Sequence, residues 1–305
     1  MTGQVRGLYG VPAPGVIAPE PDAVQLSPLV PGAQAIEALA DAALAGLTIA
    51  APPGALERRY VLAQGLRALA PGAPLCALAP KDRGGARLRA ELEALGCVVE
   101  EEARRHHRIC RCRRPDAPEG LDAAIAAGGP QRIEATGLWT QPGIFSWDRV
   151  DPGSALLMRT LPALAGRGAD LGCGVGVLAL RVLESPAVAA LALVDLDRRA
   201  VEAARRNLAG EARADVAWAD ALSPGATPEG LDFVVMNPPF HDGGAEDRRL
   251  GQAFVAAAAR GLRPGGMLWM VANRHLPYER PLAERFARVA LRAEAGGYKV
   301  HEAVR

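Results

Sequence analysis

Along the second half of the chain, short apolar runs alternate with stretches in which apolar residues recur every three or four positions. That alternation predicts a helix over Pro152–Leu164, a short strand ending at Asp170, a glycine turn, and a helix from about Val177. Ala190–Asp195 reads as a strand and Arg198–Leu208 as a helix. Asp215–Asp220 and the apolar Leu231–Asn237 are further strands, Phe254–Gly261 a helix, and Met267–Asn273 a fifth strand. In the tail, two alternating runs flank Gly296 and Gly297, the pattern of a hairpin. Strand–helix units finished by an antiparallel hairpin predict an α/β fold with an open, doubly wound sheet. Such sheets bind ligands at the carboxyl ends of their strands.

The first half carries a weaker version of the same rhythm. Gln34–Leu47 is expected to be a helix, followed by a strand, LTIAA, closed by Pro52 and Pro53. Ala55–Leu69 is helical, with Leu56, Tyr60, Ala63 and Leu66 at core spacing. Pro74–Pro80 is a strand, Ala86–Leu95 a helix, and CVVEEEA (97–103) starts another strand. Periodic patterning lapses over Pro115–Gln131, which predicts a boundary between domains at 1–130 and 131–305.

Composition adjusts this picture in three places. Half of the 305 residues are apolar, enough for substantial cores, and aromatics are only 4%. Thirty-five basic residues against 34 acidic ones argue against a strongly cationic nucleic-acid binder. One local exception is the run Arg104, Arg105, His106, His107, Arg108, Arg111, Arg113 and Arg114, which reads equally as an RNA contact or as a solvated strand. Five cysteines without paired spacing imply neither a disulfide framework nor a metal site; Cys110 and Cys112 are too close together for the usual zinc pattern. With no secretory leader and no apolar stretch of membrane-spanning length, a soluble cytoplasmic protein is expected.

The chemistry is concentrated in four features at successive strand ends. DLGCGVG (170–176) lies between a strand and a helix, where Gly172, Gly174 and Gly176 let backbone approach a ligand closely. The stricter dinucleotide pattern fails, because Val177 stands where its last glycine would be. Asp170 would repel a pyrophosphate but suits the cationic amino-acid end of S-adenosyl-L-methionine. Asp195 closes the next strand, where a carboxylate can accept both ribose hydroxyls; Asp197 competes for that role, and Asp195 is preferred. Asp220, after the third strand, can accept from an adenine amine or simply cap a turn.

The fourth feature is Asn237, Pro238, Pro239 and Phe240. An aromatic amine is a poor nucleophile because its lone pair is delocalised into the ring. If the Asn237 side-chain oxygen and the Pro238 carbonyl accept its two hydrogens, the lone pair localises and can attack a methyl sulfonium. The two prolines stiffen the loop and fix the direction of that carbonyl. Phe240 offers a face for stacking a base.

These motifs resemble those of class I methyltransferases acting on amino groups. NPPFHDG (237–243), VANRHLPY (271–278), GGYKVHEA (296–303) and PGIFSWDRVDPGSALLM (142–158) further resemble the ribosomal small-subunit RNA guanine-N2 methyltransferases. The resemblance covers the chain from about Thr136 to its end. It implies a Rossmann-like catalytic domain with a C-terminal antiparallel hairpin, preceded by a degenerate methyltransferase-like domain. It also implies S-adenosyl-L-methionine as cofactor, no metal, and ribosomal RNA or a partly assembled small subunit as partner. Phe145 and Ser146 would close over the cofactor, with Leu196 beside it.

In the first half, Leu69–Leu88 and RRHHRICRCR (104–113) resemble the family's degenerate domain, with neither DxGxGxG nor NPP followed by an aromatic; LYGVPAPGV (8–16) is at best a remnant. That half is also shorter than the family's, and the strand before Asp170 is poor in large apolar residues. His241, Asp242 and His275 are candidates for substrate contact or loop structuring. Three other readings stay open: adenine N6 methylation, methylation of a protein glutamine amide, and a silent RNA-binding module.

Overall fold

The computed structural model describes residues 5–18, 20–239, 241–242, 245–246 and 248–305, with backbone alone over 241–248. The described residues form two compact units, 1–131 with 141–143 and 132–140 with 144–305.

The second unit is built on a seven-stranded sheet. Its elements are β8 (Leu138–Thr140), α4 (Pro152–Thr160), β9 (Gly166–Leu171), α5 (Val177–Leu183), β10 (Val188–Asp195), α6 (Arg198–Asn207), β11 (Ala214–Trp218) and β12 (Leu231–Met236). After these come a short pair, β13 (His241–Asp242) and β14 (Ala245–Glu246), then α7 (Arg248–Gly261), β15 (Leu262–Asn273), α8 (Glu279–Ala283), β16 (Arg288–Ala295) and β17 (Tyr298–Val304). The strand order is β11-β10-β9-β12-β15-β17-β16, parallel except at β17, which pairs antiparallel with β15 and β16. Both faces are buried, one against Leu157, Leu178 and Val201 and the other against Val255, Ala258 and Leu282. This is the doubly wound sheet with terminal hairpin that the patterning predicts. The poverty of β9 in large side chains has a cause. A Cβ on Gly168 would lie 2.0 Å from the ring of Phe233, so Phe233 fills the space that β9 leaves.

The first unit has β1 (Arg6–Tyr9), β2 (Val24–Gln25), β3 (Gly46–Ala50), α1 (Ala55–Ala68), β4 (Pro74–Pro80), α2 (Ala86–Glu93), β5 (Glu100–Arg104), β6 (His107–Arg113) and α3 (Leu121–Gly128). β7 (Gln131–Ile133), which falls almost wholly in the second unit, pairs there with β8. The first unit's sheet runs β2-β1-β3-β4-β6-β5, again parallel until β6. Matched strand for strand, this is the order of the second unit without a counterpart of its outermost strand, β11. One face carries a large core around Leu62, Leu66 and Leu88; the other carries a small cluster of Val16, Leu78 and Ile109.

The match sets two proline loops in corresponding places. β3 occupies the place of β12, and it is followed by Ala51, Pro52 and Pro53 where β12 is followed by Asn237, Pro238 and Pro239. Alanine stands in the place of asparagine. The carbonyls of Pro52 and Pro53 accept from the guanidinium of Arg58, at 3.3 and 2.7 Å, and Arg58 is itself buried in a bidentate pair with Glu91.

Two expectations fail here. Gln34–Leu47 is not an α-helix; only a 3-10 turn forms, at Ile36–Ala38. The carbonyls of Ile36 and Leu39 accept from the Arg67 guanidinium, Ile36 also taking the single 3-10 bond from Leu39 N, and Ala42 takes a positive φ of 58°. Alanine richness there reflects composition rather than a packing face. In α1, Tyr60, Ala63 and Leu66 are buried as expected, but Leu56 is 37% exposed in the first turn.

The basic run is largely engaged with its own chain. Arg108 and Arg111 pair with Glu101 and Glu102 across the β5–β6 ladder. Arg104, Arg105, Arg113 and Arg114 donate to the carbonyls of Val16, Pro14, Gly72 and Leu66. Among the described residues no helix is long and apolar enough to cross a membrane.

Candidate active site

β9 delivers the glycine turn. Gly172, Gly174 and Gly176 all have positive φ (73°, 54° and 86°), which side chains with a Cβ resist, and Gly176 then opens α5. The turn is tied to β10, because Gly172 N donates to Val194 O at 2.8 Å and Gly174 N to Asp195 Oδ2 at 2.7 Å. From behind, Asn207 at the end of α6 accepts from Trp139 N and donates to the carbonyls of Trp139 and Val175. A Cβ on Gly174 would meet nothing within 4 Å, so that side of the turn is open.

Asp170 sits one residue inside β9, fully buried, and neither carboxylate oxygen has a hydrogen-bond partner. Burial first, and the neighbouring Asp195 second, push its carboxyl up to about 8. Asp195 is raised to about 6 by burial, against the pull of the backbone amides of Asp197 and Gly174.

Of the two candidates for a ribose acceptor, Asp195 accepts only backbone amides, from Gly174 N at 2.7 Å and Asp197 N at 2.8 Å, whereas Asp197 also holds a guanidinium. Asp197 caps α6 through Arg199 N at 2.9 Å and pairs with the buried Arg199 guanidinium at 2.8 Å. Leu196 is 41% exposed beside Asp195, and its carbonyl accepts from Trp218 Nε1. Asp220 lies two residues beyond the end of β11, not at its last position. It accepts from Leu222 N at 2.9 Å, the turn-capping role that a strand-end aspartate often takes. Ile144 is buried against Ala200 and Ala203 of α6, with Trp147 and Val175 packed on the same cluster. The intervening Phe145 is left 61% exposed, and Ser146 has a positive φ of 51°.

Asn237 follows β12, and the loop after it runs beside the glycine turn: the Pro239 ring comes within 3.9 Å of a Cβ built on Gly172. The amide nitrogen of Asn237 donates to Asp151 Oδ2 at 3.0 Å and to Ser154 Oγ at 2.9 Å. Both acceptors belong to the first turn of α4, where Asp151 is the N-cap, accepting from Ser154 N at 2.8 Å, and Pro152 is the first helical residue. The phenol of Tyr298 is raised by burial and then by the Asp151 carboxylate. Phe240 lies outside the described residues, as do the side chains of His241 and Asp242.

The site thus gathers Asp170, the three glycines, Asp195, Leu196 and Asn237 around one strand-end region. Sequence reasoning did not find Asp151 and Ser154. Their signal was the capping sequence Asp-Pro-x-Ser at the start of α4. Among the described residues no group of three His, Cys, Asp or Glu side chains is arranged to hold a metal.

Comparison with known proteins bears on this geometry. The methyltransferase small domain family matches residues 135–302. Ribosomal RNA small subunit methyltransferase C of Hahella chejuensis is 36% identical over 177 residues, 57% of this chain and 51% of that protein. The protein of that name from Stutzerimonas stutzeri is 34% identical over 264 residues, 83% of this chain and 77% of its own. The chain spans about half the length of the first of these relatives. A solved T. thermophilus 16S rRNA N2 G1207 methyltransferase, in complex with AdoMet and guanosine, superposes with a TM-score of 0.77 at 26% identity, covering 99% of this chain and 88% of that one. The chain belongs to the methyltransferase small domain family, in the group of the small-subunit ribosomal RNA methyltransferases.

Proposed function

We propose that this chain transfers a methyl group from S-adenosyl-L-methionine to the exocyclic amine of a guanine, N2, in small-subunit ribosomal RNA in the cytoplasm. The observation that carries the reading is the fixed amide of Asn237, held between α4 and the two prolines beside an open glycine turn. The names of the relatives, and the AdoMet and guanosine in the T. thermophilus complex, support the same substrate and cofactor.

The residues present fit that cofactor. Asp170 is a buried acid without a hydrogen-bond partner, a state stabilised by a nearby cation, and the cofactor's ammonium is one. Gly174 leaves room for close backbone approach. Asp195 would hold the ribose, the exposed Leu196 and Phe145 would offer apolar surface to the adenine, and Asp220 would accept from its amino group. S-adenosyl-L-methionine supplies an electrophilic methyl on a sulfonium.

The chain's part is to prepare the nucleophile. Asn237 Oδ1 and the Pro238 carbonyl accept the two hydrogens of the amine, localising its lone pair, and Phe240 stacks the base. No side chain is assigned to take the proton, which can leave after transfer. The first unit, 1–130 in the sequence reading, would position RNA or stabilise the second.

The test is to map methylated nucleosides in ribosomal RNA from cells with and without this gene. Loss of one N2-methylguanosine from the small-subunit RNA is expected. Loss of a methyladenosine, or of methylation on a protein glutamine, would transfer the chemistry to another substrate.

A further inference from the structure

The amide of Asn237 could in principle face either way, since its oxygen and nitrogen are nearly the same size. Only one orientation puts an acceptor toward a substrate amine. A carboxylate such as that of Asp151 accepts hydrogen bonds and does not donate them. It faces Asn237 at 3.0 Å, and Ser154 Oγ takes a second bond at 2.9 Å. Turning the amide over would set Asn237 Oδ1 against the Asp151 carboxylate, two acceptors in contact in a place where Asp151 and Ser154 are 9% and 8% exposed.

We propose that Asp151 and Ser154 are positioning residues. By taking the amide nitrogen of Asn237, they direct its Oδ1 away from α4 and toward the substrate amine.

Three further features serve the same end. Asp151 is held by its own cap bond, with Oδ2 accepting Ser154 N at 2.8 Å, so the acceptor that orients Asn237 is anchored to the helix backbone. Tyr298, whose phenol is raised by burial and by the Asp151 carboxylate, packs on the same turn: a Cβ on Gly153 would lie 2.6 Å from the Tyr298 ring, which explains the glycine at that position. The corresponding proline loop in the first unit supplies a contrast. There, alanine replaces the asparagine and an arginine takes the proline carbonyls, so there is no amide to orient.

This inference rests on the proposed amine chemistry, and its test separates the two. Asp151→Asn keeps a good helix cap but gives position 151 a donor, so the Asn237 amide loses its preferred orientation. Ser154→Ala removes the second acceptor, and Ser154→Thr restores it. In methyl transfer to purified small ribosomal subunits, Asp151→Asn and Ser154→Ala should each lower kcat by about ten- to a hundredfold, the scale of a misaligned catalytic group. KM for the subunit, cofactor affinity and Tm should change little, and Ser154→Thr should recover most of the rate.

Placed in an Asn237→Ala background, Asp151→Asn should cost nothing further, because its effect runs through the missing amide. A full additional loss in that background, or an unchanged kcat in both single variants, would overturn the assignment. If the wild-type chain transfers no methyl to subunits, the proposed function fails, and the orientation is read from the Asn237 side-chain amide by NMR. Slow hydrogen exchange that accelerates in Ser154→Ala supports it. Exchange that is equally fast in both proteins refutes it.

Discussion

Replacing Asp170 with asparagine should stabilise the free protein while weakening its hold on the cofactor. The wild-type carboxyl is fully buried, without a hydrogen-bond partner, and raised from 3.8 to about 8. An acid raised on folding binds more protons in the native state than in the unfolded one. Its stabilising contribution is therefore complete below about pH 4 and is lost as pH rises toward 8. Each pKa unit corresponds to about 1.4 kcal/mol, so by pH 7 the loss is on the order of 4 kcal/mol. Asparagine has a similar shape and does not ionise, so it escapes this loss.

Calorimetric melts at pH 5, 7 and 8 should show wild-type Tm falling with pH and the variant's falling less, so the gap between them widens upward. Adding S-adenosyl-L-methionine should reverse the order. Wild type gains stability by mass action, more at pH 8 than at pH 6, because the ammonium pairs with the ionised form. The variant gains little at any pH. If Asp170→Asn melts below wild type at pH 8, or if both respond equally to the cofactor, Asp170 is neither an uncompensated buried acid nor the ammonium's partner.

Two other predictions follow from the geometry. Asp195→Ala should weaken cofactor binding by roughly 1–3 kcal/mol, the worth of lost hydrogen bonds to a charged group; calorimetry showing unchanged affinity would remove it from the ribose site. Arg58→Met leaves Glu91 buried without its bidentate partner and should destabilise the first unit by about 3–5 kcal/mol. Proteolysis should then open that unit at lower temperature than in wild type, and unaltered resistance would show the pair to be dispensable.

Much of the second unit was legible because its strands are strongly apolar and end in residues whose chemistry is unusual for a turn. Asp170, the three glycines, Asp195 and Asn237 stand out as a series rather than singly. What stayed hidden depended on contacts distant in sequence. Nothing in the composition of 34–47 announces that Arg67 will take its carbonyls and leave a 3-10 turn in place of a helix. Asp151 and Ser154 lie more than eighty residues from Asn237. Their capping pattern predicts a helix start but not what else the cap holds. Ala51-Pro52-Pro53 was visible as two prolines closing a strand, yet its correspondence with Asn237-Pro238-Pro239 emerged only when the two sheets could be matched strand for strand. The basic run was readable two ways in sequence, and only the structure shows which glutamates and carbonyls of the same unit its arginines pair with.

Whether Asn237 activates an amine for methylation is read by comparing wild type with Asn237→Ala. Labelled S-adenosyl-L-methionine is supplied with small-subunit ribosomal RNA or partly assembled subunits, and the labelled nucleosides are identified. Wild type should yield N2-methylguanosine. The variant should bind the cofactor nearly as tightly but turn over more slowly by about 3–4 kcal/mol of barrier, the scale of a positioned transition-state hydrogen bond. Methyl transfer by Asn237→Ala at the wild-type rate would contradict amine activation by Asn237, whatever the labelled product proves to be.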